Sequence, residues 1–128
     1  VFISYSRKDA EKTSIIVKAL EECGIPYWID MKGVYSGENY KEVIVDAIDV
    51  AKAVVFISSA NSNASINVVR ELGYAVKQEK TIIPVLLDDS QYAKSIRLDI
   101  ADIDQVEYSD TEYMKKKLLA SLAYSLGK

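Results

Sequence analysis

Residues 53–57 read A-V-V-F-I, the most strand-like run in the chain. All five residues are apolar and three are β-branched, which favours a strand that is buried on both faces. Similar short apolar runs recur on either side, and segments with apolar residues at helical spacing separate them. This alternation predicts a parallel sheet whose strands are joined by right-handed helical crossovers.

Four further runs predict the other strands, and they are Val1–Ile3, Tyr27–Ile29, Thr81–Leu87 and Val106–Tyr108. Pro84 lies near the middle of the fourth predicted strand, although proline cannot donate to a strand ladder. Five parallel strands suit the flavodoxin-like order 2-1-3-4-5. We therefore expect an α/β three-layer sandwich, with helices on both faces of a five-stranded parallel sheet.

The segments between the strands predict four helices. The first begins after Asp9, a favoured N-cap residue, and ends at Gly24, because glycine favours the position after a helix. The last spans Thr111–Leu126, whereas Asp88–Asp102 is predicted to be irregular or weakly helical. The apolar residues of the two middle helices are Val43, Ile44, Ala47 and Ile48, and Val68, Leu72, Ala75 and Val76.

The composition predicts one globular domain over residues 1–128, with a net charge of −3 that argues against a nucleic-acid partner. No run is long and apolar enough to suggest a membrane span. The single cysteine, Cys23, permits no internal disulfide and fits a reducing, cytoplasmic location. The chain begins at Val1 on a strand, so we expect it to be a fragment of a longer protein that carries a sensor or an oligomerising part.

Ligands of such sheets bind beyond the carboxyl ends of the strands, where the strand order reverses. Here that crevice should be lined by Ser4–Lys8 and Ser58–Ser65. Neither a P-loop nor a G-x-G-x-x-G fingerprint is present, and the acidic cluster of a phosphate-accepting receiver domain is missing. The chain has no histidine, so we expect neither a Ser-His-Asp triad nor a metal site with imidazole ligands.

Glu71 is the main candidate at this crevice. It lies roughly 90° from the centre of the apolar face of its predicted helix, on the same stripe as Asn67 and Tyr74. From the pattern alone a solvated glutamate remains the more frequent case. Arg7 suits a phosphate group or, equally, a surface basic pair with Lys8. Ser58 and Ser59 suit hydrogen bonds to a sugar or phosphate, but also an ordinary loop before a helix.

Three stretches of the chain together carry a family resemblance: V-F-I-S-Y-S at Val1–Ser6, Asp30–Asn39 with two glycines, and Ser62 to Leu72. The first is similar to the first strand of TIR (Toll/interleukin-receptor) domains, and the second resembles the BB loop of that family. Ser62 to Leu72 is similar to the family signature S-x-x-S-x-W-C-x-x-E-L, although Asn67 and Val68 stand at the Trp and Cys positions. The resemblance extends over the whole chain, with the predicted strands and helices in the same order as in that family.

The resemblance implies a function. Many TIR domains cleave NAD⁺ at the nicotinamide–ribose bond, and Glu71 matches their catalytic glutamate. Tyr5, Ser6 and Arg7 would then line the nicotinamide riboside and phosphate end, with Ser58, Ser59 and Asn67 as further contacts. Tyr35 and Ser36 would close over the ligand. NAD⁺ would be the substrate, with no separate cofactor and no metal, and the product would be ADP-ribose or a cyclic ADP-ribose.

The resemblance also implies partners. Related domains are active as assemblies in which the BB loop of one copy docks on the next, here Asp30–Asn39, and head-to-tail contacts of this kind build filaments. Bacterial members serve in antiphage defence and are commonly fused to sensors, including STING-like receptors. Three alternatives remain open: a non-enzymatic TIR–TIR adaptor, a bacterial effector that mimics host TIR domains, and a generic flavodoxin-like nucleotide-binding domain.

Overall fold

The computed structural model describes residues 1–29 and 40–127. Its sheet has five parallel strands in the order β2-β1-β3-β4-β5, as the sequence predicts. The order places β1 and β3 side by side, although a helix and β2 separate them in the chain. The strands are β1 Phe2–Ser4, β2 Trp28–Ile29, β3 Ala53–Ser58, β4 Thr81–Leu86 and β5 Val106–Glu107.

Helices cover both faces of this sheet, which confirms the three-layer prediction. One face packs against α2, α4 and α5 around Phe56 and Leu72, and the other packs against α1 and α6 around Val55 and Leu118. The helices are α1 Ala10–Glu22, α2 Tyr40–Val50, α3 Ala60–Asn63, α4 Ile66–Lys77, α5 Lys94–Ile100 and α6 Thr111–Ser125. A short 3-10 turn, Arg7–Asp9, precedes α1.

Alternation along β1 decides which side chains face which helices. Phe2 packs in the cluster beneath α2 and α4, whereas Ile3 and Tyr5 belong to the cluster beneath α1. Successive side chains of a strand point to opposite faces, so Ser4 shares the face of Phe2. The first strand therefore places a hydroxyl group on the α2 and α4 side of the sheet.

Two of the predicted connecting segments contain short helices. The predicted loop Ser58–Ser65 includes α3, which begins with a capping box between Ser59 and Ser62. The segment Asp88–Asp102, predicted to be irregular or weakly helical, contains α5, whose inward residues Ile96 and Ile100 are buried. Both helices are too short to give a strong periodic pattern, and tertiary contacts supply their stability.

Pro84 is accommodated within β4. It pairs with Phe56 of β3, but β5 pairs with β4 only at Val85 and Leu86. Pro84 therefore lies before the paired part of β5, where its missing N–H group disrupts no β4–β5 hydrogen bond.

The end of α1 follows the sequence prediction. Gly24 adopts a φ of +67°, a left-handed conformation that favours glycine, directly after the exposed C-cap residue Cys23. Within residues 1–29 and 40–127, no helix combines the length and apolar character that are needed to cross a membrane.

Candidate functional site

Glu71 lies on α4 with its carboxylate turned toward the sheet. The side chain is only 6% exposed, and the Ser4 hydroxyl donates a hydrogen bond of 2.8 Å to its Oε1 atom. The helical pattern predicts a position at the shoulder of the apolar face, so the residue is more deeply buried than expected. The small side chain of Ser4 fits this burial, because it leaves room above β1 and supplies a hydrogen bond to the buried carboxylate.

The local sequence of α4 holds Glu71 in this position. The Ser65 hydroxyl accepts a hydrogen bond from the Val68 backbone N–H, so Ser65 is the N-cap that fixes where the helix begins. Val68 and Leu72 lie on either side of Glu71 along the chain, and both are buried against the sheet. The rotation of α4 is thereby set by its apolar contacts, and Glu71 is directed toward the end of β1.

A cavity of about 360 Å³ lies between α2 and α4, with Glu71 in its wall. Ile44 and Ile48 contribute apolar surface, and the exposed cations Lys41 and Arg70 lie at its border. A flat ring suits the apolar part, and an anionic group suits the cations. The described lining residues are Tyr40, Lys41, Ile44, Val45, Ile48, Asn67, Arg70, Glu71 and Tyr74.

One end of this cavity is fixed by contacts between the two helices. The Tyr74 hydroxyl donates to Asp49 Oδ1 at 2.6 Å, and Lys80 Nζ donates to the Asp49 backbone oxygen at 2.8 Å. The hydrogen bond to Asp49 raises the pKa of Tyr74, with smaller contributions from burial and nearby negative charge. These contacts tie the end of α2 to α4 and its following turn.

Beyond the carboxyl ends of β1 and β3, Asp9 connects the two predicted crevice loops. Its Oδ2 atom accepts a 2.5 Å hydrogen bond from the Ser59 hydroxyl, and its Oδ1 atom accepts a 3.0 Å bond from Asn61 Nδ2. Asp9 is the N-cap residue of α1, as predicted, but its side chain makes no capping hydrogen bond there. The carboxylate instead holds the loop after β3 against the start of α1.

Two of the predicted serines take part in hydrogen bonds within that loop. Ser58 is 1% exposed, and its hydroxyl accepts a bond from Asn63 Nδ2. Ser59 is 3% exposed; it donates to Asp9 and accepts from the Ser62 backbone N–H. Both hydroxyl groups therefore contribute to folding the start of α3.

The other residues that were predicted to contact the substrate lie in different parts of the domain. Asn67 is exposed and lines the same cavity as Glu71. Tyr5 is buried in the cluster on the opposite face of the sheet, under α1. Ser6 caps the 3-10 turn by accepting from the Lys8 backbone N–H, and Arg7 is exposed. Tyr35 and Ser36 lie outside the described residues, as does the rest of the predicted loop Asp30–Asn39.

The sequence analysis included Ser4 in the predicted crevice loop Ser4–Lys8 but gave it no role of its own, and it did not single out Tyr40 or Arg70. The signal for Ser4 is a hydroxyl residue at the end of the apolar run V-F-I, where a strand is still buried. Arg70 precedes Glu71 directly, and Tyr40 begins α2. Their meeting depends on the packing of α2 against α4, which periodicity alone does not specify.

Asp88 also supports the loop after β3. Its carboxylate accepts hydrogen bonds from the backbone N–H groups of Ala60 and Ser90, both at 2.9 Å. Burial alone would raise the pKa of Asp88, but these hydrogen bonds and the charge of Lys12 lower it overall. Among the residues that the structure describes, no group of three or more acidic or cysteine side chains is placed to hold a metal ion.

Comparisons with known proteins identify the family and the structural relatives of this chain. The model of the TIR domain family matches residues 1–120. The TIR domain of the Toll-related receptor TRR-2 from Hydra magnipapillata has a TM-score of 0.77 at 18% identity, over 94% of this chain and 95% of that one. The TIR domains of the activated Roq1 resistosome, which recognises the pathogen effector XopQ, give a TM-score of 0.70 at 19% identity, over 94% and 97%.

A third solved structure with this fold is the CMP N-glycosidase BcmB of Clostridium botulinum. Its TM-score is 0.68 at 23% identity, over 94% of this chain and 97% of that one. A sequence comparison with curated proteins finds no match. The family match covers most of the chain, and the solved structures share its fold. The chain belongs to the TIR domain family.

Proposed function

We propose that this domain is an NAD⁺ glycohydrolase and that Glu71 is its catalytic carboxylate. The observation that supports the proposal is the position of Glu71, buried, hydrogen-bonded to Ser4 and set in the wall of the cavity between α2 and α4. The fold is also compatible with cleavage of N-glycosidic bonds, since one protein that shares it is a CMP N-glycosidase.

The proposed chemistry suits a site without histidine. The nicotinamide–ribose bond breaks with its electron pair moving to the pyridinium nitrogen, so nicotinamide leaves as a neutral molecule without a general acid. Positive charge develops on the ribose, and a nearby carboxylate stabilises that charge. Addition of water to the ribose carbon, with loss of a proton, then gives ADP-ribose, whereas addition of an adenine nitrogen gives a cyclic product.

The surroundings of Glu71 fit the parts of this substrate. Ile44, Ile48 and Tyr74 offer apolar and aromatic surface for a planar base, and Arg70 and Lys41 offer positive charge for a diphosphate. The other substrate contacts stay predictions from the sequence, and they are Tyr5, Ser6, Arg7, Ser58, Ser59, Tyr35 and Ser36.

We further propose that activity depends on self-assembly through the predicted loop Asp30–Asn39, in response to a signal received by another part of the protein. An antiphage defence role, and a STING-like or other fused sensor, belong to the same proposal. TIR domains assembled within a larger complex are known from the Roq1 resistosome.

The test measures nicotinamide by chromatography after incubating concentrated or crowded protein with NAD⁺. Glu71→Gln keeps the size of the side chain and one acceptor oxygen but removes its charge, so release should fall at least about a hundredfold. The matched control is Glu42→Gln, because Glu42 is an exposed carboxylate of α2. This variant should release nicotinamide at the parental rate. Release that persists in Glu71→Gln excludes this assignment.

A second candidate is a non-enzymatic TIR–TIR adaptor. The observation in its favour is Asn67, which lines the cavity at the position of the signature tryptophan and offers no aromatic ring for stacking. Fusing the domain to an oligomerising partner separates the two functions. A forced oligomer that leaves NAD⁺ intact but still recruits other TIR domains supports the adaptor.

A further inference from the structure

We propose that Ser4 is a positioning residue that fixes the Glu71 carboxylate in its reactive orientation. This inference rests on the proposed function, because it concerns the same carboxylate. It adds a residue that touches Glu71 and not the substrate, and it assigns a reason for a hydroxyl group in an otherwise apolar strand.

The geometry makes Ser4 the rigid member of the pair. Ser4 is fully buried at the end of β1, and its backbone is held by pairing with Phe56 of β3. Glu71, by contrast, is joined to α4 through a side chain with three rotatable bonds. A 2.8 Å hydrogen bond from the Ser4 hydroxyl to Oε1 therefore sets the orientation of the carboxylate from the sheet.

The surroundings argue against a purely structural serine. Phe2, Phe56 and Leu72 form the core on this face of the sheet, where an apolar side chain would pack without any need for a hydrogen bond. A buried hydroxyl group is retained at a cost unless it has a partner. Glu71 is that partner, so the choice of serine at this position is tied to the carboxylate.

The consequence for catalysis follows from preorganisation. A carboxylate that is already oriented toward the ribose stabilises developing positive charge without first reorganising. Loss of the Ser4 hydroxyl should leave binding of the base and phosphates largely intact, because those contacts involve α2 and α4. It should lower the rate of bond cleavage itself.

The experiment compares Ser4→Thr with Ser4→Val, two side chains of the same shape that differ by a hydroxyl group. We expect Ser4→Val to lower kcat about tenfold or more while KM changes less than about threefold, and Ser4→Thr to recover most of kcat. Ser95→Ala, at an exposed position of α5, serves as the neutral control. Thermal melting of each variant shows that the compared proteins are folded.

The outcomes separate this inference from the function on which it rests. Equal losses in the Thr and Val variants mean that Ser4 acts only through packing, and an unchanged kcat in Ser4→Val means that it does not orient the carboxylate; either result overturns the inference. Glu71→Gln is measured in the same series. Activity that depends on Glu71 but not on Ser4 overturns this inference alone, and cleavage independent of Glu71, or no cleavage at all, overturns both.

Discussion

The Asp9 carboxylate and the Ser59 hydroxyl are joined by a 2.5 Å hydrogen bond that connects the start of α1 to the loop after β3. The two residues are 50 positions apart in the chain, and they meet because β1 and β3 are neighbours in the sheet. A side-chain contact therefore joins the segments that follow these two strands, while the cavity beside Glu71 lies between α2 and α4.

Removing the Asp9 side chain should destabilise the domain. Asp9→Ala deletes the acceptor for both Ser59 and Asn61 and leaves the buried Ser59 hydroxyl without that partner, so we expect the free energy of unfolding to fall by about 1–3 kcal/mol. Urea denaturation measures the change. Glu11→Ala, an exposed acidic residue in the first turn of α1, should stay within about 0.5 kcal/mol of the parent protein; equal losses in the two variants would contradict the role given to Asp9.

Alanine substitutions at two glycines should change the free energy of unfolding in opposite directions. Gly24 has a φ of +67°, so Gly24→Ala should cost about 1–2 kcal/mol of unfolding free energy. Gly73 lies inside α4, and an added Cβ would meet nothing within 4 Å, so Gly73→Ala should stabilise by about 0.5–1 kcal/mol. Thermal melting of both variants checks the signs, and destabilisation by Gly73→Ala would show that α4 is more tightly packed at this point.

The short helix α5 offers a test of burial within one element. Ile96 is 2% exposed and Leu98 is 91% exposed. We expect Ile96→Ala to lower the unfolding free energy by about 2–5 kcal/mol, because it opens a cavity in the core, whereas Leu98→Ala should change it by less than about 0.5 kcal/mol. Similar effects in the two variants, measured by urea denaturation, would contradict the placement of this helix.

Asp88 should contribute to the acid sensitivity of folding. Its pKa is lower in the folded protein than in the unfolded chain, so the stabilisation is present above about pH 4 and is lost as the pH falls through the folded-state value. Asp88→Asn should therefore flatten part of the fall in stability that occurs as the pH drops below about 4. Denaturation curves at several pH values measure this slope, and the exposed, uncharged position Ser95, changed to alanine, serves as the control that should leave it unchanged. Identical slopes in the parent and Asp88→Asn proteins would refute the assignment.

Much of the fold was predictable because periodicity reports on burial. A-V-V-F-I at residues 53–57 is the core of β3, and the alternation of strands with helices led to the observed strand order. Short elements were harder, since α3 depends on the capping box of Ser59 and Ser62 and gives no repeating apolar pattern. Asp9 was correctly placed before α1, but its side-chain partners come from a distant loop.

The candidate site was predictable only in part. Glu71 was located on the correct helix and near the end of β1, but its burial and its bond to Ser4 depend on two elements that meet only in the folded chain. The cavity likewise combines α2 with α4, and the sequence contains no local signal for that pairing. The catalytic role of Glu71 and the contacts assigned to Tyr35 and Ser36 stay predictions.

Keeping the buried pair of Ser4 and Glu71 should lower the thermal stability of the domain relative to an apolar pair at the same place. Two polar groups occupy a place where well-packed apolar side chains of similar volume would often give a sturdier fold. A version of this domain selected only for heat resistance would be expected to replace both residues and to lose any reactivity that depends on them. Stabilising this protein for laboratory use should therefore start elsewhere, for example at Gly73.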